Sequence, residues 1–229
     1  MRRDPFAAEE THHLFNRGAH KQEIFLNDVD YMRFQVLLFL ANSSKNIDVR
    51  NILKRYEGES FVRLFADEHP DQSLVDVLAY SLLPNHFHLV VREKGDGGIT
   101  TFMRKVCTGY SMYFNLKYDH SGTLFQGPFK SSHIDTDPYF NWIFAYVHLN
   151  PVAIVEPKWD EKELQNPARA QKFLDGYKYS SHYDFYVAER PERAILAYDE
   201  ARQYVEKKAD IQALLASYGH GRVLFEKIP

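Results

Sequence analysis

Residues Tyr80-Ser81-Leu82-Leu83-Pro84-Asn85-His86-Phe87-His88-Leu89-Val90-Val91-Arg92 set two imidazoles inside an apolar run, and this placement constrains the fold more than any other stretch. The segments flanking Pro84-Asn85 are short, apolar and partly β-branched, which predicts two strands joined by a turn. Side chains alternate along a strand, so His86 and His88 share one face while Phe87, Leu89 and Val91 share the other. The apolar trio is expected in the core. Strand rise separates the two imidazoles by about 7 Å along the chain, close enough to converge on one divalent ion. Two hydrogen-bonded histidines on a half-exposed sheet would satisfy the same pattern.

With 229 residues, 45% of them hydrophobic, the chain can bury a sizeable core. Cys107 is the one cysteine, which excludes an internal disulfide framework or a multi-cysteine zinc site and suits a reducing compartment. No apolar segment adjoins Met1-Arg2-Arg3-Asp4-Pro5, and Phe34 to Ala41 is too short to span a bilayer, so a cytoplasmic protein without a membrane partner is expected. A net charge of -3 and a pI near 6.4 are not those of a globally basic nucleic-acid binder. Locally the balance reverses. Between Ile99 and His133, Arg104, Lys105, Lys117 and Lys130 face a single acidic residue, Asp119, as a basic strip or as an ordinary solvated helix face.

Thr11 to Phe15 predicts a first strand and Asn16-Arg17-Gly18 its turn, where Arg17 and Lys21 either meet phosphates or serve solubility. Asp28 to Leu40, with Tyr31, Phe34, Leu37, Leu38 and Ala41 at helical spacing, reads as a core-facing helix. Asp48 to Leu53 reads as a strand, with a helix ending before Pro70. Thr100 or Thr101 is expected to cap a helix running to about Tyr118, whose apolar stripe holds Phe102, Val106, Tyr110, Tyr113 and Phe114. Leu124 to Ile134 is strand-like on both sides of Gln126-Gly127-Pro128, where backbone can approach a ligand. Asp137 is expected as N-cap and Pro138 as first residue of a helix that stops at Pro151. Its buried stripe is Phe140, Ile143, Phe144 and Val147. The neighbouring stripe is Tyr139, Trp142, Tyr146 and Asn150, so Tyr146 and Asn150 lie one turn apart. Beyond Glu156 the chain is more charged, with a helix expected from about Arg193 to Ala216.

Pro84-Asn85-His86-Phe87-His88, together with Gly122-x-Leu124-Phe125-Gln126-Gly127 and Tyr146-x-x-Leu149-Asn150-Pro151, resembles the single-tyrosine HUH transposases, in particular the REP-associated tyrosine transposases. Asn16-Arg17-Gly18 and Tyr179-Ser180-Ser181-x-Tyr183 extend the resemblance over roughly residues 11 to 186. It implies an α+β, ferredoxin-like fold: a central antiparallel sheet with helices packed on it, residues 1–155 forming the catalytic domain and 156–229 a helical C-terminal extension. It implies a divalent ion, Mg2+ or Mn2+, on His86 and His88, a nucleophile at Tyr146, and Asn150 either as a further ligand or simply as the helix terminus. Tyr110 and Tyr113 are rival nucleophiles whose stripe favours core packing, and His133 and His148 are further possible ligands or DNA contacts.

The activity so implied is cleavage and transfer of single-stranded DNA beside a hairpin through a 5′-phosphotyrosine, by one chain or a homodimer. Arg17, Lys21, Arg104, Lys105 and Lys130 are candidate phosphate contacts, and Phe125 and Gln126 candidate base contacts. The competing reading is a module that binds a DNA or RNA hairpin without turnover.

Overall fold

A computed structural model describes residues 6–56, 62–69, 71–159 and 164–205, with single positions 207, 210, 211 and 213. Strands β1 (Thr11–Arg17), β2 (Val75–Leu83), β3 (His86–Glu93) and β4 (Lys130–Ile134) form one antiparallel sheet in the order β2-β3-β1-β4. Helix α1 (Asp28–Leu40) lies between β1 and β2 in sequence, and α4 (Gly98–Tyr118) between β3 and β4. This is the ferredoxin-like βαββαβ order inside an α+β fold. Two short helices, α2 (Val49–Arg55) and α3 (Val62–Asp67), interrupt the first connection. Helix α5 (Asp137–Leu149) follows β4, and α6 (Pro167–Gly176), α7 (His182–Tyr186) and α8 (Tyr198–Arg202) follow it.

The sheet is covered on both faces. Phe87, Leu89 and Val91 of β3, with Leu14 of β1, belong to a core shared with Phe34 and Leu38 of α1 and Phe102, Val106 and Tyr110 of α4. A bulge at Leu78 shifts the register between Val77 and Ala79, so Val75, Val77, Tyr80 and Leu82 all join this core despite the break in alternation. The displaced Leu78, with Ala79 and Val90, faces the other way and packs with Ile143, Phe144 and Val147 of α5. The outer edge of β2 is covered too. Leu82 donates its N–H to the Tyr179 carbonyl, and Ser181 and Ala197 donate theirs to Tyr80 and Val77, each at 2.9 Å. An edge that would otherwise invite another strand is thereby closed.

Several local expectations are corrected. Residues 48–53 are not a strand: Asp48 accepts a hydrogen bond from the Asn51 N–H (3.0 Å) and caps α2. Helix α4 begins at a left-handed Gly97, not a threonine cap, and the buried Glu93 carboxylate accepts the N–H groups of Gly98 and Ile99 at 2.6 and 2.8 Å. Thr136, not Asp137, is the N-cap of α5. Only the second half of Leu124–Ile134 is strand; Leu124 and Gln126 instead cross the end of β1 through bonds to Ala19 and Arg17. The helix expected from Arg193 to Ala216 is a 3-10 turn (Pro191–Ile195) followed by α8, and its later part lies largely outside the described residues.

Asp30 locks α1 to α4. Fully buried, it accepts bonds from the Lys117 ammonium (2.7 Å), the Tyr118 and Tyr113 hydroxyls (2.7 and 2.8 Å) and the Leu26 N–H (2.8 Å). Burial pushes its carboxyl pKa up, but these bonds outweigh that effect and hold it below the ordinary range. The stabilisation is therefore complete above the unfolded value of about 3.9 and is lost as pH falls through the lower folded value. Asp30→Asn should cost about 1–3 kcal/mol in urea unfolding at pH 7. The gap from the unsubstituted protein should narrow below about pH 4.

Candidate active site

Register, more than any single residue, builds the site. Phe15 pairs with His88 and Arg17 with His86 across β1 and β3, so these four side chains share the face opposite the main core. Two residues back along the same face of β1 is His13, whose Nε2 lies 2.9 Å from His88 Nδ1. The His86 and His88 rings are 5.1 Å apart. Helix α5 packs over the far part of this face through Ile143, Phe144 and Val147, leaving its next stripe over the histidines. The Tyr146 ring is 5.5 Å from that of His88 and 6.3 Å from that of His13, and it stacks on Trp142 at 5.0 Å. A cleft of about 460 Å³ opens beside them, bounded by Arg17, His86, His88, Gln126, Lys130 and Tyr146.

Asn150 is buried and hydrogen-bonds the His86 ring. It keeps right-handed helical geometry and donates its N–H to the Tyr146 carbonyl, so the chain tightens into a 3-10 turn (Asn150–Ile154) instead of stopping. His86 Nδ1 lies 2.6 Å from Asn85 Oδ1. With that oxygen accepting, the proton sits on Nδ1 and the Nε2 lone pair is available. His88 has the same option, Nδ1–H donating to His13. Both imidazoles thus have the outer partner that metal-binding histidines ordinarily carry, and the donor set fits a divalent ion. The backbone of Gln126-Gly127-Pro128 forms one wall. Gly127 has φ 145°, a conformation that favours glycine, and its carbonyl accepts a bond from Asn16 Nδ2 at 3.0 Å.

The other expected contacts lie elsewhere. Phe125 is buried in the main core against Phe87 and Tyr110. Lys105 donates to the carbonyls of Ser43 and Lys45 at 2.6 and 2.8 Å, just beyond α1, and Arg104 is exposed on the same helix, across the sheet from the cleft. Lys21 is exposed and does not line the cleft. Tyr110 is fully buried and donates to the Ile24 carbonyl. His148 is buried against Ser181 Oγ, 2.9 Å away. His13 and Asn85 are the residues that sequence reasoning missed. Counting back by twos from Arg17 places His13 on the site face, but which strand lies beside it is not written locally.

The imidazoles are neutral at pH 7. Burial lowers the His13 pKa to about 4, and burial with the nearby Arg17 charge lowers that of His86 to about 4 against the opposing bond from Asn150. Burial drives His88 lower still, helped by His13, His86 and Arg17. Neutral imidazole is the form that ligates a metal.

Neighbouring histidines, a tyrosine from a later helix and a ferredoxin-like sheet are the combination that the sequence resemblance to single-tyrosine HUH transposases implies. Residues 50–150 match the family model described as transposase IS200 like. The fold is similar to that of a REP-associated tyrosine transposase solved bound to a REP hairpin, with TM-score 0.50, 12% identity, and 81% of this chain and 84% of that one covered. A putative transposase from Deinococcus radiodurans R1 aligns at TM-score 0.35 and 12% identity over 66% of this chain and 98% of its own. No curated protein matches the sequence. Among the described residues no helix is long and apolar enough to cross a membrane.

Between pH 6.5 and about 4 the unfolded chain binds protons at histidines that the folded state keeps neutral, so lowering pH favours unfolding. In EDTA, the urea midpoint should fall steadily across this window. His13→Gln should show a shallower fall over the same range.

Proposed function

We propose that the protein is a metal-dependent nicking and strand-transfer enzyme for single-stranded DNA, acting beside a hairpin through a 5′-phosphotyrosine on Tyr146. The observation that carries this reading is the Tyr146 ring 5.5 Å from His88, on the rim of the cleft that also holds His86. The family match and the fold likeness to a hairpin-bound tyrosine transposase support it.

His86, His88 and Asn150 would hold the divalent ion, with neutral nitrogen and carboxamide donors suited to Mn2+ and acceptable to Mg2+. Such an ion, when bound, polarises the scissile phosphate and neutralises the charge that builds on its oxygens. Arg17, exposed beside His86, and Lys130, across β1 on the cleft wall, supply the cations that draw in a DNA backbone. Gln126 offers a carboxamide to a base edge. The Tyr146 oxygen attacks the phosphorus and gives up its proton, the bond from phosphorus to the 3′-oxygen breaks, and that oxygen takes up a proton to leave as a hydroxyl. The 5′-phosphate stays on Tyr146. Because the phosphodiester energy is retained, another 3′-hydroxyl can reverse the step onto a new strand without ATP. One nucleophile per chain holds one strand, so cutting two ends in concert would use two chains.

With hairpin-flanked single-stranded DNA labelled at its 3′ end and Mn2+ present, label should migrate with the protein on a denaturing gel. Tyr146→Phe should lower that adduct about a thousandfold or more while leaving DNA affinity nearly unchanged, and Tyr110→Phe should retain it. Binding without any adduct would make the protein a hairpin-binding module. Adduct surviving Tyr146→Phe would place the nucleophile elsewhere. His13→Gln, which removes the partner of His88 Nδ1, should weaken Mn2+ binding by about 10–100-fold in a calorimetric titration.

A further inference from the structure

His12 and His13 are sequence neighbours on β1 and therefore point to opposite faces of the sheet. His13 joins the cleft; His12 joins Glu10 and His133 on the other side. One donor atom from each of these three residues lies within 4.8 Å of the others. His12 and His133 are cross-strand partners of β1 and β4, with ring centroids 5.0 Å apart. Glu10 Oε2 is 3.7 Å from His12 Nε2 and 3.6 Å from His133 Nε2. Those separations exceed a hydrogen bond. They approach the roughly 3.3 Å between two ligands on a tetrahedral zinc ion with bonds of about 2.0 Å.

The ligands are also held in place. His12 is 5% exposed and meets the edge of Phe6 at 4.7 Å. The Glu10 backbone is fixed by bonds from the Glu93 N–H to its carbonyl (3.0 Å) and from its own N–H to Ala7 (3.2 Å). The His133 and Glu10 side chains are partly exposed, at 45% and 40%, so they have room to close around an ion and leave an outer position to water.

We propose that Glu10, His12 and His133 form a second metal site, distinct from the His86/His88 cleft, that takes a borderline divalent transition ion such as Zn2+. Two imidazoles and one carboxylate are a zinc-type donor set, not one that Mg2+ would select. Such an ion ties β1 to the edge strand β4, which runs through Asp135-Thr136 directly into α5 and so to Tyr146. Its role is structural: it pins the strand from which the nucleophile's helix departs. This site does not depend on the nuclease reading.

The test uses tag-free protein carrying His86→Ala and His88→Ala, titrated calorimetrically with Zn2+, and with Co2+ followed by visible absorption. A single equivalent should still bind. Adding His133→Ala or Glu10→Gln, both at partly exposed positions, should weaken that binding by more than the 10–100-fold typical of supporting residues while leaving the metal-free melting temperature nearly unchanged. In the protein with His86 and His88 intact, His133→Ala alone should lower the zinc stoichiometry by one. Stoichiometric zinc absent from the His86→Ala/His88→Ala protein, or affinity indifferent to both His133→Ala and Glu10→Gln, would overturn the site.

Discussion

The antiparallel pairing of β1 with β3 is the constraint on which the rest of the structure depends. Because the register sets Phe15 against His88 and Arg17 against His86, it decides at once which side chains enter the main core and which line the cleft. A slip by one residue would turn Leu14 toward the histidines and His13 into the core, exchanging apolar for polar groups on both faces. The core enforces the register. Leu14 packs fully buried with Phe87, Leu89 and Val91 against α1 and α4, so the slipped pairing would expose Leu14 and press a polar imidazole into that apolar cluster. Asp30 sits behind this arrangement, fixing α1 to α4 through Lys117, Tyr113 and Tyr118.

The second face is used unevenly, and the unevenness makes the site. Ile143, Phe144 and Val147 cover Leu78, Ala79 and Val90, while Tyr146 and Asn150 toward the end of α5 reach His88 and His86 and leave the Arg17 side open as the cleft. A helix that covered the whole face would bury the imidazoles without access. The bulge at Leu78 contributes here, since it adds a leucine to the α5 side of β2 without removing any residue from the main core. The C-terminal segment then closes β2, with Ser181 bonded to Tyr80 and Arg190 reaching the Tyr80 hydroxyl at 3.0 Å.

Much of this was legible in the residues. The alternation through His86-Phe87-His88 determined both faces of β3, the helical spacing from Asp28 to Leu40 gave α1 its observed bounds, and the two stripes of α5 separated Tyr146 from its buried neighbours. What stayed hidden depended on partners distant in sequence. His13 is 75 residues from His88, and only the strand order places them together. Lys105 reads as a solvated cation until α1 ends beside it and offers carbonyls. Phe125 reads as a base-stacking candidate until the loop carrying it turns into the core. Residues 48–53 mix charged and apolar positions without a clean period, and the Asp48 cap tips them to helix.

Fifteen tyrosines compete for the role of nucleophile on chemistry alone, and their surroundings separate them. Tyr80 and Tyr110 are fully buried, and desolvation raises the pKa of both hydroxyls, which makes the phenolate harder to form. Burial raises Tyr113 to about 12, and its hydroxyl is engaged by Asp30 and Lys117. Tyr177 is raised by burial and donates to the Leu82 carbonyl at 2.5 Å. Each of these phenols is committed to holding helices or strands together. Tyr146 differs in kind: it is half-buried, oriented by the Trp142 ring, and borders a cleft whose other walls carry neutral imidazoles and the exposed side chains of Arg17 and Lys130. In the proposed reading a phenol placed there meets a phosphate drawn in by those cations without dismantling any part of the core, whereas the buried tyrosines named above are tied into it.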